Sequence, residues 1–228
     1  MSTPKALIEL HFLPNLAFMA ILQRYGHVVF EAQESYVKRS YRNRCLIGDS
    51  NGPLRLSLPL SKGKNENQPI RDVRLSYGSP WLPKLWHSIR SVYNKSPYFE
   101  HYADELYAIL ASQPTHLFDL NLQLLRQLMD WIGMDIKWEL STDYHKQPPS
   151  DQIDWRQALL PRQTHGDLAA LFNVQRYPQV FEEKTGFLPN LSVIDLLFCT
   201  GPESLFFLEQ YAALLPDRPQ KQPHESTH

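Results

Sequence analysis

Cysteine is scarce in this chain: two of 228 residues, Cys45 and Cys199, far apart. Two are too few for a disulfide scaffold, and that points to a reducing compartment. No CxxC pair or Cys/His array occurs. The nine histidines are scattered, and His101 and His116 have no flanking ligand pattern, so no metal centre is expected. An excess of one charge is also missing. The balance is 23 basic against 24 acidic residues, a net charge of -1, which argues against binding nucleic acid through bulk charge. Long apolar runs are missing too. The longest, "LSVIDLLFC", is short and carries Asp195, so no membrane span is expected. The N-terminal "KALIELHFLPNLAFMAIL" is broken by Glu9, His11, Pro14 and Asn15, and no small-residue cleavage site follows, so it does not read as a signal peptide. The expectation is a soluble, cytoplasmic protein. No glycine-rich phosphate loop, GxSxG elbow or HExxH is present. The common motif-defined enzyme classes therefore find no support, and no cofactor is expected.

What is present is an ordinary globular composition, 43% apolar and 21% charged, with 12% aromatics and 18 prolines. The length suits one sizeable domain. Ala6–Leu10 reads as a buried strand. "HFLPN" reads as a turn, with Pro14 at a first helical position. "LAFMAILQRYG" reads as a helix ended by Gly26, and "HVVFEA" as a second strand. This opening marks an α/β domain. "LRLSLPL" alternates as a strand after the turn "NGP", and "IRDVRLSY" is expected to be another. Three helices follow: one in "SPWLPKLWHSIRSVYNKSPYF", one over about 97–111, and one over 116–132 closed by Gly133. "DIKWEL" alternates as a strand. Residues 143–167 read as a long polar surface connection. The block from Pro189 reads as two helices, with Asn190 as N-cap of the first. The expected fold is α/β: a central mixed sheet with flanking helices and a helical C-terminal half. The expected organisation is a single domain over 1–212 and a disordered tail over 213–228.

The strongest local signal for chemistry is "SYVKRSYRNRCLIG", where Lys38, Arg39, Arg42 and Arg44 gather beside Tyr41, Asn43 and Cys45. Such a cluster suits a small anion, because one phosphate or carboxylate needs only a few donors. Arginines paired with Glu31 and Glu34, or a solvated face, are the structural alternative. His87 and Arg90 share a helix face away from the apolar stripe, where a base beside a cation suits acyl or glycosyl transfer; an exposed surface pair is the alternative. His11 follows the first strand, at the end where open α/β sheets bind ligands, though a turn histidine fits the same pattern. Asp195 lies among apolar residues at helical spacing, so it needs a partner, with an arginine expected. Cys45 beside Arg44 is a weaker candidate nucleophile.

Several stretches occur together: "LPNLAFMAIL", "ESYVKRSYRNRCLIGDSNGPLRLSLPL", "DVRLSYGSPWLPKLWHSIRSVYNKSPYFEHY", "LFDLNLQLLRQLMDWIGMD" and "RYPQVFEEKTGFLPNLSVIDLLFCTGPESLFFL". In this order the chain resembles the WbqC-like family from about residue 6 to 209. The resemblance implies an association with O-antigen and other surface-polysaccharide synthesis, with a suggested role in glycine transfer or a similar sugar modification. It gives no firm catalytic assignment. Longer members carry an extra segment where this chain has the short connection 143–176. If that segment completes an active site, this chain is a binding variant or needs a partner.

The resulting expectation is a transferase that moves an aminoacyl or other small group onto a sugar or sugar nucleotide. His87, Arg90 and His11 are its catalytic candidates. Lys38, Arg42, Asn43, Arg44, Tyr93 and Asp195 would bind an anionic small molecule such as a nucleotide sugar, phosphate or carboxylate. The alternatives are a non-catalytic anion-binding protein or a structural partner in a biosynthetic complex.

Overall fold

A computed structural model describes residues 4–61, 67–161 and 175–217. Strand β1 (Lys5–Glu9) has four consecutive buried residues, as expected of a strand covered on both faces. Helix α1 (Leu16–Tyr25) carries the chain back to β2 (His27–Glu31), which lies parallel to β1 with Glu9 opposite Glu31. Strands β5 (Lys137–Leu140) and β6 (Gln152–Asp154) complete a four-stranded sheet in the order β5-β2-β1-β6. Every pairing in this sheet is parallel. Antiparallel pairing between named strands is confined to a separate ribbon, β3 (Arg44–Asp49) with β4 (Gly52–Ser57). The expected α/β architecture is therefore present, with the two strand directions in different sheets.

The ribbon sends Cys45, Ile47 and Leu56 into the core, while Arg44, Leu46, Arg55 and Ser57 share its outer face. Helices α2 (Trp81–Tyr93), α3 (Phe99–Ala111) and α4 (Leu117–Ile132) follow. The C-terminal half then adds α5 (Glu182–Thr185), α6 (Val193–Thr200) and α7 (Ser204–Leu214). Residues 16–22 of α1 are fully buried, and α1 packs against α7.

The start of α1 is held twice. The Asn15 side chain accepts from the Phe18 amide at 3.0 Å, and that of Asn190 accepts from the Ala17 amide at 2.8 Å. The pentapeptide FLPNL occurs at 12–16 and again at 187–191, and the two copies cross. Leu16 N donates to Leu191 O at 3.0 Å and Val193 N to Pro14 O at 2.7 Å. Asn190 therefore caps α1 from a distance and not α6, and Pro14 precedes the cap instead of starting the helix. Asn190→Ala is expected to cost about 1–2 kcal/mol, the upper range for a lost cap, read as a lower urea midpoint at unchanged slope.

Three further expectations are corrected. "IRDVRLSY" is not a strand: it opens with a 3-10 turn at Ile70–Asp72 and then makes only isolated bridges. Ile70 and Val73 are both buried three apart, a turn spacing and not a strand alternation. The connection over 143–167 contains β6, whose three residues are too few to show a period. β6 leads into Trp155 and Leu159, each 1% exposed. The tail expected from 213 starts too early. Helix α7 runs to Leu214, Leu215 is buried, and Arg24 and the Tyr25 hydroxyl both bond to Asp217. Residues 218–228 lie outside the described residues.

Candidate acid-base centre at the ends of the parallel strands

Glu9 and Glu31 end β1 and β2 and stand opposite each other in the register, each 1% exposed. Two buried carboxylates at neighbouring strand ends require cations. Glu31 receives Arg156, which follows β6: Nη1 donates to Oε2 at 2.9 Å. The other Glu31 oxygen accepts from the Ser141 hydroxyl at 2.5 Å and the Gln33 amide at 2.9 Å. That side of the cluster is fully paired.

Glu9 is held differently. Its Oε2 accepts from the Gln157 amide at 3.0 Å, while its Oε1 has no hydrogen bond among the described residues. His11 Nε2 and Arg42 Nη1 each lie 3.5 Å from that free oxygen. Arg42 is 0% exposed, and its guanidinium grips Glu34 with two bonds, Nε at 2.7 Å and Nη2 at 2.5 Å. Its position is set by a 3-10 turn (Tyr41–Asn43) and by Asn121, whose side chain donates to Arg42 O at 2.7 Å. His11 is 0% exposed between Phe18 and Tyr41, with ring centroids at 4.7 and 5.4 Å. Among the described residues, neither ring nitrogen of His11, nor Nη1 of Arg42, has a hydrogen-bond partner. Unsatisfied buried polar atoms are rare in folded proteins, and here four of them meet in one place. Leu13 (φ 41) and Gln157 (φ 59) hold left-handed backbone beside this cluster, a cost that concentrates at functional sites. The left-handed turn at Gln157 aims its amide at Glu9.

The electrostatics follow from the count of charges. Glu9 and Glu34 share one guanidinium. Burial opposes ionisation of Glu9, but the charge of Arg42 overcomes it and lowers the carboxyl to about 2. Burial dominates at Glu34, and the Glu9 charge adds to it against the pull of Arg42, so this carboxyl rises to about 7. The pair titrates as a unit, one member ionised and the other protonating near neutrality. Burial also lowers the pKa of His11, against the pull of Glu9, which keeps the imidazole neutral. A neutral imidazole next to an ionised carboxylate can take a proton and be stabilised once charged.

The nine residues picked from the sequence fall into separate places. His11 and Arg42 meet in the buried centre, but Arg42 is not a clamp open to solvent, because its turn points it inward at Glu34. Asn43 is buried with both polar ends engaged: it donates to Leu58 O at 2.9 Å and accepts from the Tyr36 hydroxyl at 3.1 Å. Lys38 is exposed. Arg44 lies on the outer face of the ribbon, diagonal to Arg55, with a buried Nε that no acceptor among the described residues meets. Burial, then the charge of Arg55, lowers its pKa. His87 and Arg90 are exposed on α2, and among the described residues neither side chain makes a hydrogen bond or ion pair. They do not join His11. Tyr93 and Asp195 meet each other in the interior, where Asp195 accepts from the hydroxyls of Tyr93 and Tyr177, each at 2.6 Å. The arginine expected beside Asp195 is replaced by neutral hydroxyls, which donate without burying a second charge. Cys45 is fully buried and its thiol is pushed up by burial, so it is a core residue and not a nucleophile. Sequence reasoning missed Glu9 and Gln157. The signal for Glu9 was available: a carboxylate closing an apolar strand, two residues before a histidine.

These features define an α/β protein with a buried, incompletely paired Glu–His–Arg centre at the carboxyl ends of its parallel strands. The chain belongs to the WbqC-like protein family, whose sequence profile matches residues 10–167. It is also similar to "Uncharacterized protein Rv1507c" of Mycobacterium tuberculosis, at 24% identity over 226 residues, covering 89% of this chain and 96% of that one. No solved structure matches it.

Proposed function

We propose that the protein is a group-transfer enzyme of polysaccharide biosynthesis whose general base is His11. The family membership supports the setting in a broad sense. The observation that carries the reading is His11 itself: a buried imidazole with both nitrogens unpartnered, 3.5 Å from an ionised carboxylate. In this reading the 0% exposed centre opens to admit the acceptor, and His11 then removes the proton of its hydroxyl or amine. The acceptor oxygen or nitrogen then attacks an activated acyl carbon, the new ester or amide bond forms, and the bond to the leaving group breaks. His11 returns its proton to that group. Glu9 steadies the imidazolium, and Arg42 Nη1 is the donor available to a developing negative charge. The acceptor is a sugar or nucleotide sugar, and the donor an activated aminoacyl or similar group.

The test is turnover of the purified chain with a panel of UDP-sugars against aminoacyl thioesters and aminoacyl adenylates, followed by mass spectrometry. His11→Gln is expected to lower turnover by about 10²–10⁴-fold, the usual range for a lost general base. His87→Ala is expected to leave it near the wild-type rate. An unchanged rate in His11→Gln, or loss in His87→Ala alone, would overturn the assignment. A second reading, binding of a nucleotide sugar without turnover, is favoured by the Arg44–Arg55 face and the unpartnered Nε of Arg44. It predicts saturable nucleotide-sugar binding that Arg44→Gln weakens and His11→Gln leaves intact.

A further inference from the structure

We propose that a second cleft, between the end of α2 and the segment over 178–181, binds a small amphipathic anion: an apolar chain or ring bearing one phosphate or carboxylate. The cleft has a volume of about 620 Å³, inside the range of small-molecule sites. Its lining includes Val92, Val180, Phe181 and Cys199, together with Asn94 and Lys95. Val92 and Cys199 are buried, whereas Asn94 and Lys95 are exposed. Burial raises the pKa of the Cys199 thiol, which therefore presents neutral, apolar surface and no second charge. Among the described residues, the side chains of Asn94 and Lys95 form no hydrogen bond or ion pair, so both have donors free.

The floor is preformed. Gln179 lines the cleft, but its amide is spent inward. It donates to Leu188 O at 2.8 Å and to Asp195 at 3.2 Å, and accepts from Leu188 N at 2.8 Å. Asp195 lies one helical turn before Cys199 on α6, so the buried carboxylate and its tyrosines fix the base on which a ligand would rest. Tyr93 and Asp195 thus support the cleft without lining it.

The α2 side of the approach is basic, while Glu182 and Glu183 follow the opposite wall segment. No acidic residue occurs from Trp81 to Lys95, while Lys84, His87, Arg90 and Lys95 do. Lys84, His87 and Ser91 lie on one exposed side of α2, which leads to the cleft. On a chain of net charge -1 this is a local concentration of charge, of the kind that draws anions to a cleft. Donors at the mouth and apolar walls behind them select a ligand with its charge at one end. The cleft shares no lining residue with the His11 centre, so either proposal can fail alone.

The test is calorimetric titration with octyl phosphate, octanoate, octyl glucoside and inorganic phosphate, all below micelle-forming concentrations. Saturable one-to-one binding of octyl phosphate or octanoate is expected, and the stronger of the two identifies the charged group. Octyl glucoside should bind about two- to fivefold more weakly, as for loss of one exposed charge contact. Inorganic phosphate alone should show no heat of binding. Lys95→Gln should weaken the octyl anion by a similar factor, and Ser91→Trp, on the exposed side of α2, should block the cleft. Unchanged melting temperatures of both ligand-free variants would show that they fold. No saturable binding of either octyl anion, or equal binding to wild type and Ser91→Trp, overturns the proposal.

Discussion

Arg42→Ala is expected to destabilise the protein by about 3–5 kcal/mol, the cost of removing one partner from a buried ion pair. For a domain of this size that is a fall in melting temperature of roughly 10 °C. The loss comes less from missing attraction than from what remains: Glu9 and Glu34 buried with no guanidinium between them. The pH dependence separates this from lost packing. Glu9 has a folded pKa of about 2, depressed from 4.5, so its contribution is present above about 4.5 and is lost as pH falls toward 2. Glu34 is raised to about 7, so its contribution is full below about 4.5 and is lost as pH rises through 7. Without Arg42 both carboxyls take protons, which relieves the variant at acid pH just where the wild type weakens. The gap between the two should therefore be widest above pH 7 and narrow below pH 4.5. Urea denaturation at pH 7.5 and pH 3.5 measures it. A gap independent of pH would mean that Arg42 acts through packing alone.

The sequence made the parallel core legible because its elements have strong local causes. The apolar strands flank a helix stopped by Gly26, which sits at φ 61. α4 likewise ends at Gly133, at φ 77. β6 was illegible because three half-buried residues carry no period, and its place is set by pairing with β1. The site was half legible. The position of His11 just past the carboxyl end of β1 is legible, since strand order alone gives it. The inward turn of Arg42 is illegible, because a run of cations looks the same whether it faces water or the interior. What turns it inward is the 3-10 turn, held by Asn121 from a helix 79 positions later. Asn190 shows the same limit: as a local N-cap it fits α6, yet its side chain closes α1, 173 positions away. In each case the deciding partner is distant in sequence, and no local pattern encodes it.

Asp195→Ala should cost about as much as Arg42→Ala, roughly 3–5 kcal/mol, through unmet hydrogen bonds. Asp195 is 1% exposed and accepts from Tyr93, Tyr177 and Gln179. Alanine leaves two tyrosine hydroxyls buried without an acceptor, each at about 1–3 kcal/mol. A double-mutant cycle exposes the cause. Tyr177→Phe alone should destabilise, because Asp195 loses a donor. In the Asp195→Ala background the same change should be neutral or stabilising, since it removes a hydroxyl that no longer has a partner. Additive effects would show that the ring of Tyr177 matters and its hydroxyl does not. The pH dependence again supplies a sign. Burial raises the Asp195 pKa above 3.8, against the donors, so its contribution is full below about 3.8 and is lost as pH rises through the folded value. Asp195→Asn cannot titrate, so its deficit should be largest in acid and shrink as pH rises. That is the reverse of Arg42→Ala. The two variants therefore separate a centre whose Glu9 must stay charged from one whose carboxyl is held toward neutrality by burial.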